Sequence, residues 1–84
     1  MKLSSEIFKI LGGEDPAHIS YTVTDGGGGY FRNVRRIVEF SAGKIVLRGK
    51  KGALAIEGEN LSLGKYFAGD LEVRGSISLV RKEG

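Results

Sequence analysis

The one histidine, His18, follows Pro16-Ala17, and its nearest acidic neighbours in the chain are Glu14, Asp15 and Asp25. A histidine among carboxylates could form an oxygen-rich metal site or act as a general base. The spacing matches neither an EF-hand loop nor a zinc motif. None of the seven serines stands in a nucleophile motif. His18 therefore reads as a surface residue beside a turn. Glu57 with Glu59, and Asp70 with Glu72, could serve as paired carboxylates. Each alternates with apolar residues, so outward-facing strand positions account for them. Gly26 to Gly29 would suit a phosphate cradle only if a helix followed, with its first amides aimed at the anion. Tyr30-Phe31 follows instead, without Gly-Lys-Ser/Thr, which predicts a flexible hairpin connection. With no cysteine, disulfides, thiolate zinc sites and thiol nucleophiles are excluded. These residues predict no enzyme, no catalytic or metal-binding residues and no cofactor.

The elements that would carry any site are strands. From Lys44 to Val80 a pair of apolar residues separated by one residue recurs five times, as Ile45/Leu47, Leu54/Ile56, Leu61/Leu63, Leu71/Val73 and Ile77/Leu79. Period two places each pair on one buried face of a strand. The intervening segments are too short for crossover helices, so the sheet must be mostly antiparallel. Ile19, Tyr21 and Val23 alternate as a first strand. Tyr30 to Phe40 breaks strict alternation, and a bulge near residues 33–36 would reconcile it. The expected fold is all-β, a small antiparallel β-sandwich or rolled sheet of seven to eight short strands. Its expected core is Ile37, Phe40, Ile45, Leu47, Leu54, Ile56, Leu61, Leu63, Leu71, Val73, Ile77 and Leu79, with Leu54 and Ile56 central. Ahead of it, Ile7, Ile10 and Leu11 form one helical stripe stopped by Gly12-Gly13. This predicts a short N-terminal helix or tail over residues 1–13 and a single all-β domain over 14–84.

A chain of 84 residues with fourteen glycines buries a thin core against a large conformational entropy, which favours self-association. The formal net charge of +3 conceals an asymmetry. Residues 30–52 contain Arg32, Arg35, Arg36, Lys44, Arg48, Lys50 and Lys51 against Glu39, a balance of +6 that leaves −3 for the rest. Such a segment could meet nucleic acid or an anionic surface. No aromatic stacking pattern accompanies it, and sheet edges commonly carry Lys and Arg for protection, so nucleic acid ranks behind protein partners. If Ile37, Ile45 and Leu47 point inward, Val38 and Val46 point outward on neighbouring strands. Tyr66-Phe67, in the longest connection of the repeat region, could extend that patch or cap the core. The expected interaction surface is Arg32, Arg35, Arg36, Val38, Val46, Tyr66 and Phe67. No apolar run approaches the roughly 18 residues of a membrane span, and no basic segment leads into an apolar core and cleavage site, so a cytoplasmic location is expected.

The ordered pattern Gly-x-Leu-x-Ile-x-Gly-x-x-Leu at Gly52 to Leu61, followed by Leu71-Glu72-Val73-Arg74-Gly75-Ser76-Ile77, resembles the YabP/YqfC family of sporulation proteins. Ile37-Val38-Glu39-Phe40 and Lys44-Ile45-Val46-Leu47 belong to the same pattern, and the helix-Pro-strand lead is closest to the YqfC branch. The likeness covers about Ile19 to Val80. At Asn33-Val34-Arg35-Arg36 the chain departs from it, with Arg36 where the family usually has glycine. The resemblance implies an immunoglobulin-like β-sandwich and a non-enzymatic structural role in endospore formation, in spore coat or envelope assembly. It also implies action in the mother cell or forespore, on or near the forming spore. The expected partners are further copies of the chain and a sporulation membrane protein.

Overall fold

The computed structural model describes residues 17–83, so the N-terminal helix expected over residues 1–13 lies outside it. Six strands follow one another: β1 (Ser20–Val23), β2 (Gly29–Arg32), β3 (Arg36–Phe40), β4 (Lys44–Arg48), β5 (Ala53–Phe67) and β6 (Asp70–Glu83). They form one antiparallel sheet in the order β1-β2-β6-β5-β4-β3. Among the described residues the expected seven to eight short strands are six. Leu54/Ile56 and Leu61/Leu63 lie on the single 15-residue strand β5, while Leu71/Val73 and Ile77/Leu79 lie on the 14-residue β6. Gly58-Glu59-Asn60 and Gly75-Ser76, which look like turns in sequence, are bulges inside this hairpin.

The bulges can be read from the register. Between the pairs Glu59↔Ser76 and Ser62↔Arg74, β5 advances three residues and β6 two, and Asn60 is the extra residue, at φ 55°. Between Glu57↔Leu79 and Gly58↔Ile77 the extra residue is Ser78 on β6, whose hydroxyl donates to the Glu57 carbonyl. A third bulge precedes Tyr66↔Leu71. Each extra residue sharpens local twist and bends its strand. The backbones also meet closely here. Gly75 has φ +110°, and a Cβ on it would lie 2.9 Å from the Leu61 Cα and clash with the Asn60 carbonyl, while a Cβ on Gly58 would strike the Ser76 carbonyl.

The hairpin consequently folds over. In a straight ladder, the twelve steps from Leu71 to Glu83 would span about 40 Å, yet β2 pairs beside Leu71, and β4 ends beside Ala53, the partner of Glu83. The three residues 33–35 that join β2 to β3 reach only about 10 Å. They bridge the gap because the Val34 amide donates to Gly69 at the hairpin tip, and the next amide, Arg35, donates to Arg48 at the end of β4. β1 and β2 thus lie over β3 and β4, closed by the Lys51 amide on the Ala17 carbonyl and the Asn33 side chain on the His18 carbonyl. The glycine-rich connection is anchored to this bend. The Ile77 amide donates to the Gly27 carbonyl, and Gly28 lies so near the Val73 carbonyl that no side chain would fit.

One apolar core fills the space between the two halves. Phe31, Leu71 and Val73 contribute from one half and Ile45, Leu47 and Ile56 from the other, joined by Val34, Leu61 and Ile77. Ile37, Leu54 and Leu63 are partly buried against it, so Leu54 is less central than Ile56. Two expected core residues are exposed. Ser78 shifts the register so that Ile77 and Val80 face inward, placing Leu79 outward opposite Glu57. Phe40 stands opposite buried Ile45, but it ends an edge strand and has no strand on its far side among the described residues.

Replacing Gly75 with alanine should cost at least about 2 kcal/mol, because the added methyl meets backbone at a left-handed position. Gly52→Ala, whose Cβ would meet nothing within 4 Å, should leave the denaturation midpoint unchanged or raise it slightly. Equal midpoints for the two variants would contradict the bend.

Candidate interaction surface

Folding the hairpin over brings its tip to the end of the sheet that carries the basic residues. Arg35 precedes β3 and Arg36 starts it, Arg48 ends β4, Lys50 and Lys51 lie in the turn into β5, and the hairpin tip is joined to them through Val34. Arg32 ends β2, one residue beyond the Phe31↔Leu71 pair. Arg36 and Arg48 are direct cross-strand partners. Like charges facing each other in this way destabilise a sheet slightly and leave its field open to anions. The ion pairs that the structure forms between described residues lie elsewhere: Glu72 with Arg74, and Glu57 and Glu83 with Arg81. Arg35, Arg36, Arg48, Lys50 and Lys51 have no carboxylate partner among the described residues.

The two aromatics at the tip have different roles. Tyr66 sits opposite Leu71 on the core face and its hydroxyl donates to the Val34 carbonyl at 3.0 Å, so it caps the open end. Phe67 points the other way and is 82% exposed. Between Phe67 and Asp70, Ala68 (φ 54°) and Gly69 (φ 86°) form a type I′ hairpin turn. Tyr21 guards the opposite side of the core, its ring stacked on Phe31 with centroids 5.4 Å apart.

Val38 and Val46 do not form the expected shared patch. Val38 is the bulged residue of β3 and is exposed. Val46 does face outward, but it is only 6% exposed, in a small cluster with Ala53 and Ala55. Ala55, its cross-strand partner, is in turn opposite Arg81, whose guanidinium reaches Glu57 and Glu83. An outward position on a strand was legible in the sequence. Its burial in a cluster with Ala53 and Ala55 was not.

On the outer face of β6, Arg74 grips both carboxylate oxygens of Glu72 at 3.2 Å, and the Lys65 amide adds a bond at 3.4 Å. The arginine, aided by that amide, holds the Glu72 carboxyl below its ordinary range, and Glu72 raises the Arg74 guanidinium. Two shallow depressions flank the sheet. One of about 250 Å³ is lined by His18, Ile19, Tyr21, Ala53, Leu54 and Lys82, and the other, of about 320 Å³, by Tyr30, Glu72, Arg74 and the glycine-rich connection. Among the described residues no three histidine, cysteine or acidic side chains are grouped to hold a metal ion, and Glu14 and Asp15 lie outside them. No helix among the described residues is long and apolar enough to cross a membrane.

The family model that matches this chain is that of the YabP family, over residues 16–81. No curated protein matches it. The matched stretch contains every strand of the sheet but the last two residues of β6. The pattern glycines Gly58 and Gly75 lie at the bend of the central hairpin. Arg36, which stands where that pattern has glycine, is an ordinary strand residue paired with Arg48.

Two outcomes follow from this geometry. Ala68→Asn should stabilise the fold by about 1 kcal/mol in a denaturant titration, since alanine tolerates the left-handed region poorly. An NMR titration should find the Glu72 carboxyl below the ordinary carboxylate range and returning toward it in Arg74→Gln. Because the folded value is depressed, the contribution of this exposed pair to stability is complete above the ordinary carboxylate pKa. It disappears as pH falls through the lowered value.

Proposed function

The chain belongs to the YabP family, and on that premise we propose that it is a non-enzymatic assembly protein of bacterial endospore formation, acting in spore coat or envelope construction. The family match across the whole sheet is the observation that carries this reading. The working location is the mother cell or forespore, at the forming spore.

Assembly needs a contact surface, and β3 offers one. It is an edge strand of the sheet, paired only with β4 among the described residues, so one side of its backbone is left for another strand. Val38 and Phe40 are exposed along it. Free edges carrying apolar side chains recruit further strands. Two copies meeting edge to edge about a two-fold axis would satisfy those groups.

Sedimentation over a concentration range should show reversible self-association of the wild-type chain. Val38→Lys and Phe40→Lys should shift it toward monomer at least tenfold without altering the circular dichroism, because both side chains are already exposed. A wild type that stays monomeric throughout would remove self-association from this role. Lysine variants that associate as well as wild type would place the contact elsewhere. A gene transcribed only in vegetative cells would overturn the sporulation role itself.

A further inference from the structure

We propose that the tip of the β5–β6 hairpin docks on an anionic lipid bilayer, with Phe67 entering the interface and the surrounding cations meeting lipid phosphates. Phe67 is the most exposed large apolar residue among those described, and nothing in the fold uses it. It also stands on a fixed support. Tyr66 is tied to the Val34 carbonyl, and the Val34 amide is tied to Gly69, so the tip is held against the start of β3. The turn beyond Phe67 is Ala68-Gly69, with no bulky side chain to keep the ring from a surface.

Charge selects the kind of surface. Lys65 lies two residues before Phe67, and Arg35 adjoins the residue that holds the tip. Arg36, Arg48, Lys50 and Lys51 extend the same end of the fold, where Asp70 is the acid of the turn. An apolar apex ringed by lysine and arginine matches the layered chemistry of a bilayer interface, with acyl chains below and phosphates around. A nucleic acid would engage the cations but leave the apex unused. Single-strand binders present several aromatic platforms along a groove, whereas here one ring stands on a convex tip. This docking does not require the β3 edge contact proposed above.

The test is co-sedimentation of the full chain with vesicles of phosphatidylcholine alone and of phosphatidylcholine mixed with phosphatidylglycerol, with a short duplex DNA as competitor. The expected result is binding to the mixed vesicles only, weakening as salt rises. Phe67→Ser should reduce partitioning about tenfold. Arg35→Glu should reduce it by at least about fivefold, the usual effect of one cation at an anionic surface. Thermal denaturation should show both variants as folded as wild type, since both side chains are exposed. Failure of the wild type to bind mixed vesicles, or unchanged binding by Phe67→Ser, would overturn the proposal. So would duplex DNA that displaces the chain from vesicles and binds Phe67→Ser as tightly as wild type, which would assign these cations to nucleic acid.

Discussion

The structure depends on the bend in the β5–β6 hairpin. A ladder of this length, left straight, would expose one long apolar face and could bury it only against another molecule. The bulges at Asn60 and Ser78, with the close backbone approach at Gly58 and Gly75, turn that face on itself. One strip of sheet thereby supplies both walls of its own core. Five of the nine core residues, Ile56, Leu61, Leu71, Val73 and Ile77, lie on this hairpin. The shorter strands add edges to this scaffold without creating a second sheet.

The same bend explains the surface. Arg35 and Arg48 are neighbours through the β3–β4 pairing, and the adjacent Val34 amide brings the hairpin tip to them. Charge repulsion at Arg36 and Arg48 results from the β3–β4 register, and it is tolerated because both side chains remain in water. Carboxylates that might have neutralised this end are engaged further along β5 and β6, Glu57 and Glu83 with Arg81 and Glu72 with Arg74. The basic end is thus left with a field that an anionic partner can use.

Much of this was legible in the sequence. Period-two pairs placed Ile45, Leu47, Ile56, Leu61, Leu71, Val73 and Ile77 in the core, and short connections required antiparallel pairing. The single sheet is one of the two architectures expected, and it replaces the immunoglobulin-like sandwich of two sheets that the resemblance implied. What could not be read was the function of the glycines. A Gly-x-Asn segment opposite a Gly-Ser segment has the composition of two turns, and only pairing between distant residues makes them facing bulges. That error split two long strands into four and turned Leu79 inward. Phe31 and Val34 were missed for a related reason. They lie where alternation breaks, on a crossing segment whose burial depends on the fold closing over it. The aromatic pair shows the limit at single-residue level, since Tyr66 and Phe67 are equivalent by composition and are separated only by which face of the hairpin each occupies.

The bend itself can be observed most directly through two adjacent amides. Scalar couplings across hydrogen bonds should connect the Val34 amide to the Gly69 carbonyl and the Arg35 amide to the Arg48 carbonyl in the same sample. A folded hairpin predicts both couplings together. Finding the Arg48 coupling without the Gly69 coupling would mean that the hairpin tip stands away from β3 and β4, and would contradict this account of the fold.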